Sequence, residues 1–350
     1  SDDMAAILEH PLVREDPGRS AIRDMVQETS NCSLKRRVGM DTLEMALLFN
    51  ENTNEIIYMN PLEGKFISCS KPKVLQTIRA VTVTTRNEIY ILAHELKDYA
   101  QMSMFEYNHS KNVWEYAALS SLTMELGENL PRYSEHLVEV DQIFYYLDVE
   151  MRMASAKVEM KKYKWLTEQW QDCSPLHTKS TVDFCAAVAC GSHLYFLVDS
   201  EMHRYSPRQD QWDKRTQPSA NRPFCTAVAM GTELFCTDDQ FARTMVYDTE
   251  SDSWQELKGW STPENPFGLV IKNPRLFVLE NQLYVWLEAH DTAKEESSAD
   301  YLVYVYDRSA DAWRELKTTL SNNKYVVHGS MCPVARIYLP NLVQNTELDT

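Results

Sequence analysis

The stretch Phe184–Gly191 (FCAAVACG) returns forty residues further along the chain as Phe224–Gly231 (FCTAVAMG). After each copy comes a Leu followed by an aromatic residue, and then a Tyr that precedes a Trp by seven residues. These positions are Leu194, Tyr195, Tyr205 and Trp212 in the first copy, and Leu234, Phe235, Tyr247 and Trp254 in the second. The two stretches are therefore copies of one structural unit, and a repeat of this length is typical of stacked repeat architectures and propellers.

The seven-residue spacing recurs along most of the chain. Its six copies are Met59 and Phe66, Tyr107 and Trp114, Tyr163 and Trp170, Tyr205 and Trp212, Tyr247 and Trp254, and Tyr306 and Trp313. Successive copies end 42 to 59 residues apart. Within a unit, short apolar or alternating stretches are separated by Gly, Asn or Asp turns, which indicates four short strands. Second strands are expected at Ile89–Leu92, Ile143–Leu147, Leu194–Val198, Leu234–Thr237 and Leu283–Leu287, behind turns at Asn87, Asp141, Gly191, Gly231 and Asn281.

Six units of four strands predict an all-β fold, a six-bladed β-propeller over residues 40–344, with a short tail at 345–350. The first unit lacks an innermost strand, and the strand-like segment Cys332–Leu339 has no Tyr and Trp pair after it. Pairing the two would hide both sheet edges, so we expect the C-terminal segment to close the blade that contains Phe66. The recurrent aromatics are expected to pack between adjacent blades. A short helical segment is expected over residues 1–30.

Composition and charge exclude several classes of function. The chain has 350 residues and a net charge of −16, which argues against nucleic-acid binding because phosphate contacts need a basic face. No apolar run reaches about 20 residues and the N-terminal residues do not resemble a signal peptide, so we expect no membrane association. The eight cysteines form no C-x-x-C pair, as expected for reduced thiols. The expected location is the cytoplasm or the nucleus.

The common catalytic motifs are absent from the sequence. There is no H-E-x-x-H, G-x-S-x-G, Walker or G-x-G-x-x-G motif, and the nine histidines are scattered. We therefore expect no catalytic residue, no metal and no cofactor, and interpret the chain as a binding module.

The repeat resembles the kelch repeat, in a unit near 50 residues with Tyr seven before Trp and a second strand that opens on an aromatic. One feature departs from it: a kelch blade usually ends its second strand with Gly-Gly, and this chain contains no such pair. The segments at Met4 and Arg19 resemble the end of the helical BACK region. Together these features resemble the BTB-BACK-kelch family, in its kelch repeat and BTB domain-containing branch.

The resemblance implies a non-catalytic adaptor of the cullin-3 RING E3 ubiquitin ligase. In that family a BTB domain, which this chain does not contain, binds cullin-3 and forms the homodimer, while the kelch propeller recruits the protein substrate for ubiquitination. The alternative is a kelch scaffold or cytoskeletal protein, such as an actin-associated one, without a ligase role. Actin is itself acidic, so the charge of −16 disfavours that alternative.

The resemblance also predicts which loops bind the substrate: those that follow each second strand and those that precede each first strand. The candidate substrate-binding residues are His94, Arg132, Tyr133, Asp148, Phe184, Asp199, Arg222, Phe224, Asp239, Phe267, Glu288 and Tyr325. Four of the five positions that correspond to the second Gly of the pair are acidic, so a basic or mixed-charge substrate segment is expected. Alternatively, Arg132 and Arg222 neutralise these carboxylates within the propeller. The polar stretch 289–301 is expected to be a long loop.

Overall fold

The computed structural model describes residues 42–49, 56–69, 75–95, 98–111, 113–117, 119, 121–123, 132–152, 155–179, 184–199, 201–218, 223–257, 269–291, 299–316 and 332–338. The regular elements within these ranges are β-strands. The helical segment predicted over 1–30 and the tail at 345–350 lie outside the described residues. Among the residues described, no helix is long and apolar enough to cross a bilayer.

The strands form six antiparallel sheets, numbered here as blades I to VI. Blades I to III contain β1 (Thr42–Phe49), β2 (Ile56–Asn60), β3 (Lys65–Cys69), β4 (Leu75–Val83), β5 (Ile89–Glu95), β6 (Asp98–Asn108), β7 (Val113–Tyr116), β8 (Leu122–Thr123), β9 (Arg132–Val140), β10 (Ile143–Arg152), β11 (Ser155–Lys164), β12 (Gln169–Asp172) and β13 (Leu176–Thr178). Blades II and III begin at β4 and β9, and the short strands β8 and β13 pair with their third strands, β6 and β11.

Blades IV, V and VI each consist of four consecutive strands. They contain β14 (Cys185–Cys190), β15 (His193–Val198), β16 (Glu201–Ser206), β17 (Gln211–Lys214), β18 (Phe224–Met230), β19 (Glu233–Asp238), β20 (Thr244–Asp248), β21 (Ser253–Glu256), β22 (Leu269–Leu279), β23 (Gln282–Asp291), β24 (Ala299–Asp307) and β25 (Ala312–Leu316). The last strand, β26 (Val334–Tyr338), belongs to blade I, whose order is β26-β1-β2-β3. The six-bladed β-propeller is confirmed.

The predicted closure by the C-terminal strand is also confirmed. Tyr338 pairs with Thr42 and Val334 with Ala46, so β26 takes the innermost position that the first unit lacks. The side chain of Asn87, from blade II, donates to the backbone oxygen of Arg336 at 2.9 Å and accepts from its N–H at 2.6 Å. Blade II therefore also holds the closing strand.

Apolar packing lies between the blades, with one buried cluster at each of the six interfaces among the described residues. In blades II to VI, the Tyr and Trp of the repeat join the cluster that faces the preceding blade. Tyr205 and Trp212 of blade IV, for example, pack with Tyr145 of blade III. The expectation that the repeated aromatics interleave between sheets is confirmed, and their residue types reflect packing rather than ligand binding.

Left-handed backbone explains the recurrent turn residues. The predicted turn positions have positive φ, which Gly, Asn and Asp adopt most readily. They are Asn87 (65°), Asp141 (50°), Gly191 (56°), Gly231 (64°) and Asn281 (58°). A second left-handed position lies five residues after the Tyr of a repeat, and in four blades an acidic residue occupies it: Glu168 (52°), Asp210 (51°), Asp252 (53°) and Asp311 (47°).

Three second strands run further than the sequence predicted. β5 ends at Glu95, β10 at Arg152 and β23 at Asp291, so each passes the positions where a kelch blade has Gly-Gly. Without glycine, nothing at these positions favours leaving the extended conformation, and strand pairing continues. The loop expected over 289–301 is shortened accordingly, because Ala289 pairs with Asp300 and His290 with Ala299.

Candidate functional site

The two ends of the propeller carry different loops. The second strands end near Glu95, Arg152, Val198, Asp238 and Asp291, at what we call the upper face, where substrate binding is predicted. The hairpin turns between first and second strands lie at the opposite end, which we call the lower face. Those turns cover residues 84–88, 141–142, 191–192, 231–232 and 280–281.

Several candidates lie on strands instead of the predicted loops. His94 is in β5, Asp148 in β10 and Glu288 in β23, because these second strands are extended, and Phe224 opens β18. Arg132 and Tyr133 are the first two residues of β9. Arg222, Phe267 and Tyr325 lie outside the described residues. The assignment of these residues to substrate binding stays a prediction.

Three of the predicted residues meet in blades IV and V. The backbone N–H of Asp199 donates to the carbonyl oxygen of Phe184 at 3.1 Å, and the N–H of Phe224 donates to the carbonyl oxygen of Asp199 at 3.3 Å. Asp199 has a φ of 50°, the left-handed conformation that glycine favours at this place in a kelch blade. Phe224 is buried, and its ring stacks on that of Trp254 with 5.6 Å between the ring centroids. The surface of this group is therefore formed by Asp199 and Phe184, which are half-buried.

Asp148 lies in a row of carboxylates rather than on a loop. The strand register places it directly opposite Glu135 of β9 and Glu159 of β11, on one face of blade III. Arg79 of blade II forms an ion pair with Glu135. The Tyr146 hydroxyl donates to Glu135 at 3.1 Å.

At the outer end of this row Lys157 forms an ion pair with Glu159. Cations from blades II and III therefore balance part of the negative charge inside the propeller. The two ion pairs that the structure shows in this row are those of Arg79 and Lys157.

Glu288 is the corresponding buried carboxylate of blade VI, and 6% of the residue is exposed. Its Oε2 accepts a hydrogen bond from Asn273 Nδ2 at 2.9 Å and lies 3.6 Å from Nε2 of His290. Asp239 lies on the turn after β19 and is half-buried. The carboxylate of its neighbour Asp238 accepts the N–H groups of Gln240 and Ala242, at 3.1 and 2.9 Å, and fixes that turn.

One cysteine lies beside a histidine in the core. Cys185 Sγ is 3.4 Å from His136 Nε2, and Ser134 Oγ is 3.1 Å from the same nitrogen. Burial raises the pKa of the Cys185 thiol to about 12 and lowers that of His136 to about 4. Both groups are neutral at pH 7, so this pair lacks the thiolate that a cysteine nucleophile requires. No group of three or more metal-ligating side chains occurs within the described ranges.

A cavity of about 550 Å³ opens on the lower face between blades II and III. Its walls include Tyr90, Phe144 and Trp165, and the acidic side chains of Glu88 and Glu106. A volume of this size falls within the range of about 300–1,000 Å³ that is usual for ligand pockets. This cavity was not predicted from the sequence. The one indication of it in the sequence is Trp165, an aromatic residue that lies outside the repeated Tyr-to-Trp spacing.

Comparison with known proteins gives likeness of fold alone. No family model matches the chain. No curated protein matches it either.

Among solved structures, the chain is similar to a protein from Lactobacillus plantarum, with 9% identity, 85% of this chain and 99% of the other covered, and a TM-score of 0.50. It is similar to a chain of a nidogen/laminin complex, with 10% identity, 84% and 98% covered, and a TM-score of 0.50. A further match is YjhT, with 10% identity, 75% and 88% covered, and a TM-score of 0.49.

Proposed function

We propose that this chain is the substrate-recognition propeller of a cullin-3 RING ubiquitin ligase adaptor and that it binds a protein substrate through its upper face. The observation that supports protein binding is the closed ring of six blades, in which buried clusters hold a rigid scaffold for the loops at both ends. The resemblance of the Tyr-to-Trp repeat to the kelch repeat, taken together with the resemblance of the N-terminal segments to the BACK region, supports the adaptor role. In this proposal the chain takes no catalytic step, needs no cofactor, and acts in the cytoplasm or nucleus.

Phe184 and Asp199 are the part of the upper face that we assign to the substrate, together with the rim residue Asp239, and the buried Phe224 supports them through its backbone hydrogen bond to Asp199. An aromatic ring beside carboxylates suits a basic or mixed-charge peptide segment, because the ring supplies apolar contact and the carboxylates pair with cations. The carboxylates of Asp148 and Glu288 are buried beneath this face and contribute to its negative electrostatic potential. Cullin-3 binding and dimerisation would belong to a BTB domain in the full-length protein.

The test uses the full-length protein in cells, with proximity labelling in the presence and absence of a cullin inhibitor. Substrates of a ligase should accumulate near the bait when the cullin is inhibited, and cullin-3 should co-precipitate. The double variant Asp199→Lys with Asp239→Lys should lose these substrates and keep cullin-3. A matched control is Glu63→Lys with Glu250→Lys, which makes the same charge change at exposed lower-face positions.

Two results would contradict the proposal. Absence of cullin-3 from the precipitate, with actin as the main labelled partner, would favour the cytoskeletal alternative. If the Asp199→Lys/Asp239→Lys variant captures as much substrate as its control, the substrate does not bind at the upper face. Binding through these carboxylates should also weaken as salt rises, because the screening length falls to about 8 Å at 0.15 M.

A further inference from the structure

The cavity between blades II and III has aromatic walls supplied by both blades. Tyr90 of β5 and Phe144 of β10 meet edge to face, with ring centroids 4.8 Å apart. Trp165, on the turn after β11, lies 5.9 Å from Phe144 and covers one side. Its indole N–H donates to the carbonyl oxygen of Gln142 at 2.9 Å, which fixes the ring although half of the residue is exposed. An exposed Trp held in place by a hydrogen bond is preorganised for contact with a ligand.

The carboxylates that line the cavity differ in the hydrogen bonds that they accept from the protein. Glu139 is buried and accepts the backbone N–H groups of Thr85, at 3.0 Å, and of Gln142, so it holds the two hairpin turns together. Arg86 donates to the side-chain oxygen of Gln142 at the rim. Glu139 thus serves the scaffold, and the one arginine that lines the cavity has a neutral partner.

Glu106 is a half-buried carboxylate of the cavity lining. It lies directly opposite Tyr90 in the register of β5 and β6, on the wall facing blade III. Burial raises its pKa, the nearby charge of Glu88 raises it further, and a hydrogen bond with the Tyr90 side chain opposes these effects. No described Lys or Arg forms an ion pair with Glu106. A cation that enters the cavity would stabilise the ionised form of Glu106, which burial and the charge of Glu88 disfavour.

We infer that this lower-face cavity binds the side chain of an arginine in a partner protein, with the guanidinium stacked on Trp165 and hydrogen-bonded to Glu106. The planar guanidinium can stack on an indole and still donate in its own plane to a carboxylate, which an ammonium cannot do equally well. The charges lining the cavity agree, because Glu88, Glu106, Glu139 and Asp141 outnumber Arg86. This site is on the opposite face from the proposed substrate site and is independent of it.

The experiment titrates the 350-residue protein with N-acetyl-arginine amide and with the citrulline analogue, which has a similar shape but no charge. Binding is followed by the NMR signal of the Trp165 indole N–H, assigned by its loss in Trp165→Phe. The arginine compound should shift this signal, with millimolar affinity, and the citrulline compound should not. Glu106→Gln should weaken binding about tenfold, as expected for a lost charge-assisted hydrogen bond. Glu250→Gln, an exposed lower-face control in blade V, should leave binding unchanged.

Three outcomes would overturn the inference: equal binding of the citrulline compound, unchanged affinity in Glu106→Gln, or shifts confined to Trp signals of other blades. If Glu106→Gln lowers the melting temperature markedly, Trp165→Ala replaces it, because this half-exposed ring can be removed from the surface. Binding to that variant is followed by the backbone amide signals of Thr85 and Gln142, which lie at the cavity, because the indole signal is then absent. Loss of arginine binding in Trp165→Ala then supports the site, and its retention contradicts it. Asp199→Lys with Asp239→Lys should leave arginine binding intact, so the two proposals fail separately.

Discussion

The indole N–H of Trp212 donates to the backbone carbonyl oxygen of Ser174 at 2.8 Å and so joins blade IV to the segment between β12 and β13 of blade III. The N–H of the same Ser174 donates to Asp210 Oδ1 at 2.9 Å, and the Tyr205 hydroxyl donates to that oxygen at 2.6 Å. Both backbone groups of Ser174 are thus bound by side chains of one repeat.

The next blade repeats this arrangement around Thr216. Trp254 donates to its carbonyl oxygen at 2.7 Å, and Asp252 accepts its N–H at 3.1 Å and the Tyr247 hydroxyl at 2.6 Å. In blades IV and V, three side chains of the repeat therefore bind the preceding blade together through hydrogen bonds. They are the Tyr, the acidic residue five positions later and the Trp seven positions later.

Truncation of the Trp should destabilise the ring. Trp212→Ala removes the hydrogen bond to Ser174 and the packing against Tyr205, at 5.1 Å between ring centroids. We expect a loss of about 3 kcal/mol in the free energy of unfolding, the lower end for aromatic truncation because Trp212 is only partly buried. Urea denaturation followed by circular dichroism measures it. Trp212→Phe should lose less, and a Trp212→Ala protein as stable as the parent would show that the ring does not hold the blades.

Asp210 should make stability depend on pH in the acid range. Its partial burial opposes ionisation, but hydrogen bonds from Ser174 and Tyr205 outweigh this and lower its pKa below the usual 3.8. A lowered pKa stabilises the fold at pH values above 3.8, and this contribution is lost as the pH falls through the folded-state pKa. Asp210→Asn should therefore cost about 1 kcal/mol at pH 7, discounted for solvent screening.

The same substitution should cost almost nothing once Asp210 of the parent is protonated in both the folded and the unfolded state. Thermal melts of the parent and Asp210→Asn between pH 7 and pH 2 measure the difference. Asn also adopts the left-handed backbone found at this position, so strain does not confuse the comparison. A difference in melting temperature that is constant across this range would mean that the charge of Asp210 contributes nothing.

The ion pair of Arg79 with Glu135 joins the innermost strands of blades II and III. Glu135 is buried, with 1% of its side chain exposed, so Arg79→Ala leaves a buried carboxylate without its cation. We expect a cost of about 3 kcal/mol, measured by urea denaturation. Arg79→Met combined with Glu135→Gln should recover most of it. Arg204→Ala, which breaks a partly exposed pair with Asp213, serves as the control and should cost less than about 1 kcal/mol. Equal losses in Arg79→Ala and Arg204→Ala would contradict the prediction.

Removal of the closing strand should prevent folding. A chain that ends at residue 331 lacks β26 and exposes the edge of β1, together with apolar side chains such as Met45, which packs in the same buried cluster as Ile337 of β26. We expect an aggregated or unfolded protein by size-exclusion chromatography and circular dichroism. A chain that ends at residue 338 keeps β26 and is the matched control. A soluble, cooperatively folded protein that ends at 331 would show that blade I is complete without β26.

The sequence predicted the fold in more detail than the site. Spacings such as Tyr205 to Trp212 predicted the blades because each blade must bury the same interface, and Cys332–Leu339 predicted closure because an open edge is costly. The extension of the second strands through Asp148 and Glu288 was not predicted. The absence of Gly-Gly shows that the usual turn is not favoured, but it does not predict that strand pairing continues. The lower-face cavity was missed because Tyr90 and Trp165 belong to different blades, and their distance depends on how the blades are oriented.

Closure by β26 has a consequence for biosynthesis. The ion pair between Glu44 and Arg336 joins residues 292 positions apart, so blade I cannot be completed until nearly all of the described chain has left the ribosome. At about 5–20 residues per second, β1 waits tens of seconds for its partner with its edge exposed. Five blades can form during that time, while the nascent chain presents an open strand that a chaperone, or a second nascent chain, could occupy. The yield of this protein in a cell should therefore depend on protection of β1 as well as on the final stability of the ring.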